Sequence, residues 1–162
     1  MESVAAILYL FAAYILFCKL WPYFLYPNYF LKSKVERYPE LVELSSKLRG
    51  ENPLQTAENA YAYMQRTYTG YTDAFKIRSL LTIFQFRDFS TKNLLNKKQF
   101  LWCHTQNRLL KSILVNTGHF KESDVVIKRR LFFIFFIHQW VSLRVDGKEI
   151  KIDPHCAIFE TR

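Results

Sequence analysis

At 162 residues the chain is long enough for a membrane segment and one small domain, and too short for two full domains. Half of its residues are hydrophobic and 17% are aromatic, with only 4 Gly and 5 Pro, which excludes a disordered tail and calls for a buried core. The net charge of +9 is scattered and comes with no RNA-binding aromatic motif, zinc finger or helix-turn-helix pattern, so no nucleic acid is expected; a basic face near anionic lipid headgroups fits better.

The first element is an apolar run, Val4 to Cys18, followed by Lys19 and then by Trp21, Tyr23 and Tyr26. A lysine that snorkels and aromatics of interfacial type extend this run into an expected transmembrane anchor over residues 1–27. A cleaved signal peptide would need a basic residue before the run and small residues after it, and here there are Glu2 and bulky aromatics. The competing reading is a core helix. Lys19, Lys32, Lys34 and Arg37 all follow the run, so the positive-inside rule places the rest of the chain in the cytoplasm as a single-pass protein. Three widely spaced cysteines, Cys18, Cys103 and Cys156, are an odd set that agrees with free thiols in a reducing compartment.

Residues 28–55 read as a linker with one short amphipathic helix, Pro39 to Leu48, stopped by Gly50-Glu51-Asn52-Pro53. A domain is expected over residues 56–162. Its first helix runs from a Thr56 cap to about Tyr68, with Ala57, Ala60, Tyr61 and Met64 at helical spacing. A second helix is expected over Ala74 to Phe86, and Arg87 to Lys98 gives no clear pattern. Thr105 to Thr117 places Leu109, Leu110, Ile113 and Leu114 on one face and ends at Gly118, a C-terminal cap. The period then changes to that of strands. Val125-Val126-Ile127 opens them, Leu131 to Ile137 reads as a central strand covered on both faces, and His138 to Val145 alternates. Asp146-Gly147 is a hairpin turn and Lys148 to Ile152 returns. The order, helices and then an antiparallel sheet, predicts an α+β fold.

Three side chains in this pattern carry chemistry. Cys103 stands at the start of a helix, where the helix dipole favours the thiolate a nucleophile needs; a small buried hydrophobe is the alternative reading. His138 lies where the apolar strand becomes an alternating one, and Asp153 ends the next strand of the same hairpin. Counting outward from the turn pairs Val145 with Lys148, Trp140 with Asp153 and His138 with His155. Asp153 is then the diagonal neighbour of His138 on one face, close enough for a carboxylate to orient the imidazole.

The segment HQWVSLRVDGKEIKIDP resembles the His-x-Trp-Val…Asp-Pro pattern of the transglutaminase-like superfamily of papain-like Cys-His-Asp enzymes, and CHTQNRLLKSILVNTG resembles its nucleophile helix. The resemblance covers residues 57 to 156 and implies Cys103 as nucleophile, His138 as base and Asp153 as orienting acid. It also implies an aromatic oxyanion donor upstream, for which Tyr68 is preferred over Tyr71. One departure is Phe100-Leu101-Trp102, where the family usually has a Gly before the nucleophile. The implied activity is acyl transfer on a protein or peptide amide, as a protease, deamidase or transglutaminase. The alternative is an inactive transglutaminase-like binding domain tethered to the membrane. No cofactor is expected. Nor is a metal, because Cys103-His104, His119, His138 and His155-Cys156 lack the paired short spacings of structural zinc sites. His104, His119 and His155 read as surface or turn residues, and phosphate- and dinucleotide-binding loops and metalloprotease helix motifs are absent.

Overall fold

The computed structural model describes residues 2–25, 33–68, 91–96, 103–132 and 136–161. The chain is α+β, with helices packed on a four-stranded antiparallel sheet. Helix α1 spans Glu2–Leu25, α2 Pro39–Leu48, α3 Pro53–Thr67, α4 Thr91–Asn96 and α5 Cys103–Asn116. A short 3-10 turn, Glu122–Asp124, leads into strands β1 Val125–Phe132, β2 Phe136–Val145, β3 Lys148–Asp153 and β4 Ile158–Thr161, a meander in the order β1-β2-β3-β4.

Helix α1 exposes large apolar side chains from Val4 through Phe17. Among the described residues, however, no helix is long and apolar enough to cross a membrane, which corrects the expected transmembrane segment over 1–27. The reason is length: the apolar run Val4 to Cys18 has 15 residues before Lys19 interrupts it. At 1.5 Å per residue it reaches about 22 Å, against a hydrocarbon core of about 30 Å.

Helix α2 starts where Pro39 supplies a preset φ and Glu40 meets the positive helix end. It closes on an exposed Glu43–Lys47 pair at 2.6 Å, which solvent screens. What holds it is Leu41, buried in the common core. Helix α3 begins three residues earlier than the Thr56 cap expected from sequence. Asn52 is the cap, its side chain accepting from Gln55 N at 2.9 Å, and Pro53 occupies the first turn. Thr56 is instead buried inside that turn, its hydroxyl accepting from Gly50 N at 2.8 Å. The segment that read as a helix stop does follow the end of α2 at Leu48, and it also starts α3.

Within the stretch that gave no pattern, α4 is pinned by Glu36. One carboxylate oxygen accepts from Thr91 N at 2.9 Å and Thr91 Oγ1 at 2.8 Å, and the other meets Arg108 on α5 at 3.4 Å. The helix expected over Ala74 to Phe86, and Tyr71, lie outside the described residues.

Helix α5 is the central element. Leu109, Leu110, Ile113 and Leu114 are fully buried against Val125, Val141, Leu143, Ile150 and Ile152 of the sheet. Each such side chain contributes about 1.5–3 kcal/mol by leaving water. Gly118 takes φ +81° just past the helix, the left-handed position that a C-terminal cap requires. Asp146 (φ 49°) and Gly147 (φ 78°) both have positive φ, as a two-residue hairpin turn demands.

The single central strand expected over Leu131 to Ile137 is not present. The run is divided between β1 and β2, which pair antiparallel with Phe132 opposite Phe136. Among the described residues β1 is an edge strand, and Leu131 is 62% exposed, so the run is not covered on both faces. Phe133 to Phe135 lie outside the described residues. A continuous apolar string carries no register of its own, and an apolar hairpin and one long strand look alike by periodicity.

Candidate active site

Three elements converge on one imidazole. Strand β2 carries His138, and its register with β3 runs from Val145 opposite Lys148 to Val141 opposite Ile152, as the turn dictates. One step beyond the last of these pairs stand Trp140 and Asp153, which puts Asp153 diagonally across from His138. The hydrogen bond follows: His138 Nε2 lies 2.5 Å from Asp153 Oδ2. Asp153 is 0% exposed. Its second oxygen, Oδ1, accepts from Cys156 N at 3.2 Å across the turn after β3. With both oxygens engaged, the carboxylate has little freedom to rotate away.

Cys103 is the first residue of α5 and is 7% exposed. Its thiol is a second hydrogen-bond partner of His138. The helix is locked to the strand one turn further on, where Asn107 Nδ2 donates to Gln139 O at 2.7 Å beside His138. The helix start therefore cannot slide relative to the ring. The thiol stands at the first residue of a 14-residue helix, facing the ring.

The surroundings hold His138 protonated. The Asp153 hydrogen bond, then those with Cys103 and Cys156, raise its pKa well above the ordinary imidazole range, and partial burial opposes them only in part. Of the histidines expected at the surface or in turns, His104 is buried within α5 instead, and His155 lies in the turn after β3 as expected but is buried there. His104 is 4% exposed; its burial, with the Arg108 cation adding, pushes its pKa down to about 3. His155 is 9% exposed and burial takes it down to about 4, with its ring 6.3 Å from that of His138. One sits at the start of α5 and the other in the turn between β3 and β4, and short-range pattern does not reveal that either is covered. His119 is half-buried, bonded to Thr56 Oγ1 at 2.8 Å and accepting from Arg49 Nε at 3.0 Å.

The structure thus brings Cys103, His138 and Asp153 together. It places Tyr68 in an aromatic cluster, edge-on to Tyr63 at 6.2 Å, where burial and the neighbouring tyrosines raise its pKa. Burial, with the Asp153 charge adding, raises the pKa of Tyr61, whose ring packs on Phe159 at 5.4 Å. Trp140 stacks beside His138 at 6.2 Å, and Lys151 Nζ stands 5.5 Å from the Trp140 ring, forming a cationic aromatic rim. Sequence reasoning set Cys156 aside with the other ligand types and did not place it at the site, yet its Sγ lies 3.8 Å from His138 Nε2. The one signal for it was the spacing Asp153-Pro154-His155-Cys156, an Asp-Pro turn in which an Asp side chain accepts from a backbone N–H a few residues on.

No family model, curated protein or solved structure matches this chain.

Proposed function

We propose that this chain is a cysteine acyl-transfer enzyme of the transglutaminase-like, papain-like type, acting on protein or peptide amides and attached to a bilayer through α1. One observation carries the reading: a single imidazole, His138, is bonded to a buried carboxylate at 2.5 Å and to a thiol at the start of a helix. In the reaction Cys103 Sγ attacks the amide carbonyl while its proton resides on His138. The imidazolium then protonates the departing amine as the C–N bond breaks, leaving a thioester on Cys103. Water or a second amine, deprotonated by His138, attacks the thioester and regenerates the thiol. Asp153 keeps the ring oriented and supports its positive charge. The resemblance assigns the oxyanion donor to Tyr68. For the bilayer attachment, support comes from the exposed apolar side chains of α1 and the basic residues that follow it.

An acyl-amide or acyloxymethyl probe, with mass-spectrometric mapping of the adduct, tests the reading. Labelling should fall on Cys103 in the wild type, vanish in Cys103→Ala and drop sharply in His138→Ala. A properly folded wild type that is never labelled at Cys103 would leave an inactive binding domain as the better description.

A further inference from the structure

Among the described residues, one group of His, Cys, Asp or Glu side chains is close enough to share an ion: His138, Asp153 and Cys156, whose donor atoms lie within 4.8 Å of one another. Their chemistry differs from that of an acidic surface cluster. One soft sulfur, one imidazole nitrogen and one carboxylate oxygen make a mixed set that suits zinc and poorly suits calcium or magnesium.

The geometry is close to what zinc requires. With Zn–S near 2.3 Å and Zn–N or Zn–O near 2.0–2.1 Å, tetrahedral angles separate sulfur from nitrogen by about 3.5 Å and nitrogen from oxygen by about 3.3 Å. Cys156 Sγ is 3.8 Å from His138 Nε2, so that pair is nearly in position. The His138–Asp153 contact, at 2.5 Å, must open by a little under about 1 Å, a small shift of the half-buried imidazole away from the held carboxylate. The set is also tied down. Cys156 N holds Asp153 Oδ1, and the same short turn joins the carboxylate to the thiol. Sequence spacing argued against a metal because Cys103-His104, His119, His138 and His155-Cys156 lack paired short spacings, and Asp153 was not counted among the ligands. Only the β2–β3 hairpin brings them together.

We infer that His138, Asp153 and Cys156 form a zinc site in which the ion switches off Cys103 by taking its proton acceptor as a ligand. The ion replaces the proton between His138 and Asp153 and that of the Cys156 thiol. The imidazole, once coordinated, no longer exchanges a proton with Cys103 or with a leaving amine. Cys156 is exposed, which gives an ion access from solvent. The inhibitory half of this inference rests on Cys103 being the nucleophile; the binding half does not.

The experiment uses the full-length chain in nonionic detergent, carrying Cys18→Ser so that the thiol of α1 is silent. Cobalt titration should produce a thiolate-to-cobalt charge-transfer band that zinc removes. That band should be lost in Cys156→Ser and kept in Cys103→Ser, and zinc affinity should fall roughly tenfold or more in Cys156→Ser. Zinc should also suppress probe labelling of Cys103, measured against each protein's own metal-free labelling, far more in the parent than in Cys156→Ser. Absence of the band in the parent, or its survival in Cys156→Ser, overturns the site. If the band behaves as expected while the metal-free parent is never labelled, the zinc site stands and the acyl-transfer reading falls.

Discussion

Acid should weaken this protein through His104, and the size of the effect follows from its burial. The ring is buried beside Arg108 with a folded pKa of about 3, whereas an unfolded chain titrates near about 6.5. The folded state therefore keeps a neutral ring while the unfolded state takes up a proton. Stability is intact above the unfolded value and is lost as the pH falls through the window toward 3. Each pH unit costs about 1.4 kcal/mol, about 5 kcal/mol in all, and about 2–3 kcal/mol between roughly pH 7 and pH 4.5. His138 acts with the opposite sign. Its folded pKa is raised, so its contribution is fully present below about 6.5 and is lost only as the pH rises toward the folded value. His155, lowered to about 4, also weakens the fold in acid, but it is common to any pair of variants at position 104. The comparison is urea unfolding of the wild type and of His104→Leu in nonionic detergent, followed by tryptophan fluorescence at the two pH values. The wild type should lose about 2–3 kcal/mol more than the variant on acidification. Parallel losses in the two proteins, or a His104 proton resonance that titrates near 6.5, would refute the reasoning.

Asp153→Asn should leave the fold and the Cys103 thiol in place yet slow probe acylation by roughly 10²–10⁴-fold, since an amide no longer supports the imidazolium; rates measured in metal-free buffer check this. Leu143→Ala, at a fully buried sheet position under α5, should cost about 2–5 kcal/mol in urea unfolding, and a cost under about 1 kcal/mol would remove that residue from the core. Flotation with vesicles containing anionic lipid should carry the full chain and leave a chain lacking residues 1–27 behind; equal flotation of both would move the attachment away from α1.

Much of this architecture is set locally, and so the sequence by itself determined it. Asp146-Gly147 permits positive φ at both turn positions, and once that turn is placed, antiparallel counting dictates which residues face each other down to Val141 and Ile152. That alone puts Asp153 within reach of His138. The helix ending at Gly118 and the apolar face of α5 are likewise written in short-range pattern. The end of α2 before Gly50-Glu51-Asn52-Pro53 was legible, and the start of α3 was encoded in the same four residues by the Asn52 cap and Pro53, a second role that the stop signal masked. The division of Leu131 to Ile137 into two paired strands was not readable, because an unbroken apolar run gives no alternation to mark where it turns. Nor was the burial of His104 and His155, since desolvation depends on what other elements close over a residue. The position of Cys156 needed both. The turn after Asp153 points its amide back at the carboxylate, yet its sulfur meets Nε2 only because β2 lies alongside β3. Contacts between side chains distant in sequence depend on how strands and helices are laid against each other, and that is decided by the whole core at once.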